Sequence, residues 1–387
     1  MKEWILRLII ALAVLLLFIP EVQMKFHLVS ETPLVGVVDD VSRPTLTRGT
    51  WFDGSFQTVF TEWFEHRFGF RSYLIKTDNE INWRLFDSVS AKTHTRLVRG
   101  LGSYLFEYAY IDEYVRRPFI SDEILHTRAE QLARAYRLLK NQGIAFLFVI
   151  SPSKASIYPE YIPPAYRLDE NIEQRRAYDR FLLLLDELSV PYVDGHAILA
   201  EVKAQGIYPV FAKGGTHWNY YSACVVVDGI IKELEVQNYT IYRHTQCDPP
   251  MVDTTPIGTD KDLEELLNLW DASSFQSLAP HPSLVVKKPR DDHEPRILFV
   301  GDSFSHTLRR IMNGRTTNHS ELLYYFERRM VYDDGVESSR TDDVRDVERN
   351  FGNTDAVIVE INESSIEEIG FGFLEYLADA LPNGLEH

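Results

Sequence analysis

The sequence predicts an α/β fold, a mostly parallel sheet flanked by helices on both faces, and three observations carry that expectation. Short runs of apolar residues without polar alternation recur at 144–150, 297–300 and 356–359, and each reads as a strand buried on both faces. Helical stretches lie between them, supplying the crossovers that parallel strands require. Each run ends in a polar cluster, and in an open parallel sheet the ligand crevice lies beyond the C-terminal ends of the strands.

Taken in order, the chain opens with Lys2 and Arg7 ahead of an unbroken apolar run at 8–19 that stops at Pro20-Glu21. No small-residue cleavage signal follows, so residues 1–23 read as an uncleaved membrane anchor with its basic end in the cytoplasm and everything after about residue 24 outside it. Phe56, Val59, Phe60, Trp63 and Phe64 recur at helical spacing, followed by Ile81, Leu85 and Phe86. Residues 24–120 are therefore expected to be a helical lead-in. Ser121-Asp122-Glu123 can cap a helix running to Asn141, with Gly143 as its stop, before the first buried strand. A helix at 171–188, a short strand at 190–193 ending in Asp194, and a helix at 220–234 continue the alternation across an α/β domain of residues 121–387. Residues 244–295, rich in Pro, Asp and His, lack clear periodicity outside a helical stretch at 263–270 and read as an excursion. The charged segment 333–348 reads as a solvated loop.

Composition narrows the partners. Of 387 residues 45% are hydrophobic and 25% charged, which is enough for a packed core and excludes disorder. With 40 basic against 57 acidic side chains the formal charge is −17, so no nucleic-acid partner is expected. Two cysteines, Cys224 and Cys247, exclude a disulfide framework and a Cys-based zinc site. One disulfide, or a free buried thiol at Cys224, remains open. No metal-binding pattern is present and no organic cofactor is implied.

The sharpest chemical signal is Gly301-Asp302-Ser303-Phe304, where a serine directly after a buried strand is lifted to a helix N-terminus. That geometry suits a nucleophile, and the helix N-terminus could stabilise an oxyanion. Asp302 and Ser303 could equally cap the helix that follows. A serine needs a base, and His217 in Gly214-Gly215-Thr216-His217-Trp218-Asn219 is the candidate, lying between a glycine turn and a helix start. Trp218 could pack in the core, under the imidazole or along a substrate site. Lys154 and Arg71 could hold a sugar carboxylate or an acyl carbonyl, or pair with the chain's own carboxylates. Asn362 and Glu363 end the last strand, where a helix cap explains them as well as a site does.

These motifs carry a resemblance. Thr216-His217-Trp218-Asn219 some ninety residues before Gly301-Asp302-Ser303-Phe304 resembles the alginate O-acetyltransferase family of SGNH-hydrolase-like proteins, of the AlgJ and AlgX type. Further matches are Glu62 to Arg71, Gly102 to Phe106, Ser151-Pro152-Ser153-Lys154 with Tyr158-Pro159, and Val357 to Glu363. The resemblance spans about residues 50–370 and implies an SGNH-hydrolase-like fold in an extracytoplasmic, periplasmic setting, held by the inner membrane. It implies that Ser303 takes an acyl group, in that family usually acetyl, and passes it to a polysaccharide hydroxyl, with His217 as general base and then acid. The acyl donor it implies is a membrane-bound O-acyltransferase. Asp302, Trp218, Asn219, Lys154, Arg71 and Glu363 are the candidate supporting residues. The family pattern has an aspartate two residues before the histidine, and this chain has Gly215 there. Asp194, Glu360 or Glu363 could substitute, the site could run as a Ser-His dyad, or the domain could be a polysaccharide-binding scaffold. An esterase acting on acylated glycans is the remaining alternative.

Overall fold

The computed structural model describes residues 2–36, 41–89, 96–115, 120–167, 176–238, 242–287, 294–340 and 344–381. The chain divides into two compact units, Met1–Arg96 with Glu264–Ser274, and Leu97–Leu263 with Phe275–His387.

The described residues of the first unit include the helices α1 (Lys2–Phe26), α2 (Arg48–Phe52), α3 (Ser55–Arg67) and α4 (Arg71–Leu85). Among the described residues α1 is the one helix long and apolar enough to cross a membrane, over Trp4–Phe26. Beyond it the chain turns back, and Glu31 accepts hydrogen bonds from the Phe70 N–H at 2.7 Å and from the Ser72 hydroxyl at 3.0 Å. This clasp fixes the start of α4, whose first turn needs acceptors for its unpaired N–H groups. On α3 no residue is buried; Phe56, Phe60 and Phe64 stack in sequence along it.

In the second unit a small ladder, β1 (Leu97–Arg99) and β2 (Leu105–Glu107), leads into α5 (Tyr108–Tyr114) and α6 (Asp122–Asn141). Ser121 caps α6 by accepting from the Ile124 N–H, as the sequence predicts. There follow β3 (Ala145–Ser151), α7 (Lys154–Ile157), α8 (Ala177–Glu187), β4 (Tyr192–Asp194), α9 (Gly195–Gln205), α10 (Tyr220–Asn238) and β5 (His244–Asp253). Then come α11 (Asp262–Leu266), β6 (Ala279–Lys287), β7 (Arg296–Gly301), α12 (Phe304–Met312), β8 (His319–Tyr324), β9 (Arg328–Asp333) and β10 (Val336–Arg340). The unit closes with α13 (Val347–Phe351), β11 (Ala356–Asn362) and α14 (Phe373–Ala380). The helix expected at 171–188 is seen from Ala177; residues 168–175 lie outside the described residues.

The main sheet has the order β10-β9-β8-β7-β11-β3-β4, with β8 through β4 parallel and β9 and β10 antiparallel. The three predicted apolar runs are its central strands, and their alternation explains why every position is apolar. In β3, Phe146, Phe148 and Ile150 face the core under α6, α8 and α14, while Ala145, Leu147 and Val149 face the core under α10 and α12. A strand covered on both sides has no solvent face to make polar, and each large side chain so buried contributes roughly 1.5–3 kcal/mol. The parallel register brings the C-terminal ends of β7, β11, β3 and β4 to one rim.

Two expectations are corrected, and one left open is decided. The excursion at 244–295 contains a two-stranded antiparallel ladder, β5 with β6, whose register shifts between Asp248 and Met251. Cys247 on β5 is disulfide-bonded to Cys224 on α10, so the thiol alternative falls away. Most of the expected loop at 333–348 is ordered as well: β10 pairs with β9 as an exposed edge strand and α13 begins at Val347. Residues 341–343 lie outside the described residues.

Candidate active site

The turn after β7 is shaped by close packing. A side chain at Gly301 would place its Cβ 2.4 Å from Ser305 Oγ and 2.9 Å from the Glu360 carbonyl oxygen, so only glycine fits. Asp302 then turns inward and accepts from the Phe304 N–H at 2.8 Å and the Asn362 N–H at 2.9 Å, tying the β7 turn to the end of β11. Burial raises its carboxyl, with those hydrogen bonds opposing. Ser303 is left at the N-terminus of α12, partly exposed, with no capping bond of its own. The capping reading therefore belongs to Asp302 alone.

His217 follows the turn at 213–214 and packs its ring 4.7 Å from Phe304. Its Nε2 lies 2.8 Å from Ser303 Oγ, and its Nδ1 lies 2.5 Å from Asp262 Oδ2. Asp262 is the first residue of α11, and its other oxygen accepts from the Thr216 and Leu263 N–H groups, each at 2.8 Å. The carboxylate thus holds a proton on Nδ1 and leaves Nε2 to accept from the serine hydroxyl, the relation of a Ser-His-Asp triad. Along the chain the order is His217, Asp262, Ser303.

Gly215 explains why the acid arrives from elsewhere. A Cβ there would lie 2.5 Å from the Thr259 carbonyl oxygen and 3.0 Å from Asp260 Cα, because the 258–261 turn that delivers Asp262 packs directly on it. The residues proposed to replace the missing aspartate are engaged otherwise, which corrects that expectation. Asp194 caps α9 through the Ala197 N–H and accepts from Tyr178 at 2.7 Å. Glu360 accepts from the Ser151 hydroxyl and, at 2.7 Å, from Ser305, and burial pushes its carboxyl well above the usual range. Glu363 is buried against Ser153, Ser156 and His196. Asp262 lay in a segment without periodicity; the only sequence signal toward it was the glycine at 215, a position that leaves room for a neighbour.

A polar cluster backs the triad. Thr216 donates to Glu107 at 2.7 Å, and burial raises the Glu107 carboxyl. Lys154 is buried and its ammonium donates to the carbonyls of Ala212 and Lys213, both at 3.0 Å, propping the loop that leads to His217. Burial lowers it to about 7, against the attraction of Asp262, Glu107 and Asp260. Of the roles open to it, the structure shows it bound to the chain's own groups. Asp260 is buried beside it and pushed up to about 7 by burial. Trp218 is a core residue, its indole N–H donating to Thr307 at 2.6 Å and its ring edge-on to Phe304. Asn219 caps α10 by accepting from the Ser222 N–H. Arg71 belongs to the first unit, where it lines a cavity with Gln23, His27, Glu31 and His66.

Residues 103–315, more than half of the chain, match the family described as SGNH hydrolase-like domain, acetyltransferase AlgX. The chain belongs to this AlgX family. Among solved structures it is similar to the O-acetyltransferase domain of Pseudomonas putida AlgJ, at 18% identity and a TM-score of 0.47, over 74% of this chain and 100% of that one. Pseudomonas aeruginosa AlgX is similar at 14% identity and a TM-score of 0.44, over 73% and 67%. For Bacillus cereus PatB1 the values are 14% and 0.42, over 70% and 97%. No curated protein matches the sequence. Against the AlgX-family pattern that the motifs resemble, the departure at Gly215 is local: the imidazole keeps a carboxylate, supplied from α11.

Proposed function

We propose that this chain is an extracytoplasmic O-acetyltransferase that modifies hydroxyls of an exported polysaccharide through an acetyl-serine intermediate. The observation that carries the reading is the continuous contact from Ser303 through His217 to Asp262. His217 takes the Ser303 proton as Oγ attacks the donor's acetyl carbonyl, and the N–H groups at the start of α12 face the oxyanion. Collapse expels the donor's leaving group, which takes the proton from Nε2. An acceptor hydroxyl then attacks the acetyl-serine, gives its proton to His217, and releases Ser303, which recovers that proton. Asp262 orients the ring and offsets the imidazolium charge.

The setting rests on α1 and on the disulfide, which belongs to an oxidising compartment. With an anchored domain outside the cytoplasm, the donor is a membrane-bound O-acyltransferase that relays acetyl across the membrane. The scaffold reading was motivated by Gly215, and a carboxylate on Nδ1 weighs against it.

The test uses the full-length chain in detergent with 4-nitrophenyl acetate, following ester cleavage and intact mass. Wild type is expected to gain one acetyl; Ser303→Ala gains none. His217→Ala and Asp262→Asn are expected to react about 10³–10⁴-fold more slowly, the loss typical of a broken triad. Folded wild type as inert as Ser303→Ala would return the protein to a binding role.

A further inference from the structure

We propose that Tyr324, Tyr325 and Phe371 form an acceptor subsite beside Ser303, an aromatic rim that stacks a neutral pyranose ring and so selects a sugar hydroxyl over water. This rests on the acetyl-serine reading above and assigns the residues that decide where the acetyl goes.

The rim is placed by the sheet. Strand β8 runs parallel to β7 with Tyr324 opposite Gly301, and the Tyr325 N–H donates to the Gly301 carbonyl at 3.0 Å. The end of β8 is therefore the strand end adjoining the Ser303 turn, and the Tyr325 hydroxyl interacts with that of Ser303. The connection from β8 to β9 is unusual. Tyr325 and Phe326 take φ of 49° and 53° in succession, where tight hairpins use Asn-Gly to avoid the strain of a side chain. Phe326 is buried against Phe373 and Tyr376, which holds the turn in place. Tyr325 is thereby turned outward and remains 38% exposed. Phe371, at φ 51°, meets it edge-on at 4.8 Å from the other side of the rim, and Tyr324 lies 4.4 Å away. Two separate chain segments thus spend strained backbone to present rings to solvent next to the nucleophile, and such strain concentrates at functional sites.

Partly exposed aromatic rings offer the apolar face of a pyranose a surface to stack on, while their hydroxyls hydrogen-bond its edge. Water gains nothing from that surface. A ring held there brings one hydroxyl to the acetyl carbonyl at high effective concentration. The hydroxyl oxygen bonds to the carbonyl carbon as its proton passes to His217; the Ser303 ester bond breaks and Oγ takes that proton back.

The experiment acetylates the full-length protein with 4-nitrophenyl acetate and offers cellopentaose or methanol in water, scoring acetylated sugar, methyl acetate and acetate by mass spectrometry. Wild type is expected to acetylate cellopentaose at least tenfold better than methanol per hydroxyl offered. Per acetyl group taken up, Phe371→Ala and Tyr325→Ala should each lower that preference about tenfold and release more acetate; Tyr325→Phe should keep most of it. Equal use of methanol and cellopentaose per hydroxyl by wild type, or an undiminished preference in both alanine variants, overturns the subsite. In parallel, cellopentaose is titrated into Ser303→Ala by calorimetry, with and without Phe371→Ala. Binding lost with the ring supports the subsite even if wild type takes no acetyl, in which case the acetyl-serine reading alone fails; no binding in either overturns the subsite.

Discussion

At Gly215 the absence of one side chain determines where the third member of the triad comes from. The Thr259 carbonyl and the Asp260 backbone occupy the volume that a Cβ would need, so Gly215→Ala must move the turn that carries Asp262. Overpacking of this kind costs about 1–3 kcal/mol. Gly215→Ala is expected to lower the melting temperature and to slow acetylation by the ester, and the two readouts together separate it from Asp262→Asn, which slows the reaction with less change in melting. Ser303 and His217, which the structure brings into contact, were legible as a candidate pair because each sits in a short motif with a local physical reason: a glycine turn, a strand end, a helix start. Asp262 was not, since a lone carboxylate in an aperiodic stretch carries no pattern, and its partner is distant in sequence.

At the level of elements, the disulfide binds the helix that follows His217 to the strand that precedes Asp262. Cys224 and Cys247 are 23 residues apart, and closing a loop of that size stabilises by about 3 kcal/mol in the chain-entropy account. Cys224→Ser with Cys247→Ser is expected to melt lower by that measure and to lose ester turnover disproportionately, because β5 leads directly into the 258–262 segment; melting curves and rates compared with Gly215→Ala check it. The parallel strands were legible because burial on two faces leaves a run of Val, Ile, Leu and Phe. The β5 ladder was hidden by Pro249 and Pro250, which argue against a strand, and it survives by shifting register there. In β10 all five residues are exposed, so an edge strand without a buried face read as a loop.

Across the whole molecule, buried ionisable groups give the fold opposing responses to pH. Glu363 is buried, which alone would raise its carboxyl; hydrogen bonding from His196 and Ser156 and the nearby Arg176 outweigh that and hold it at about 2. Between its ordinary value near 4.5 and about 2 the unfolded chain binds the extra proton. The stability that Glu363 contributes is therefore complete above pH 4.5 and lost as pH falls through 2, on the order of 3 kcal/mol. Asp260 acts in the other direction: raised to about 7, its neutral form favours the fold below pH 3.8, and that advantage is lost as pH rises through 7. Acid denaturation monitored by circular dichroism should show a Glu363→Gln variant with a flatter loss of stability between pH 4.5 and 2, and Asp260→Asn with a smaller decline between pH 4 and 7.

The packing of the 258–261 turn on Gly215 also limits what can be grafted onto this site. A Cβ at 215 meets the Thr259 carbonyl and the Asp260 backbone, so an aspartate placed at 215 would have to displace the turn that carries Asp262 before its own carboxylate could reach the imidazole. The two arrangements of the acid are alternatives within one backbone, and a change from one to the other needs a rearranged turn as well as a substitution.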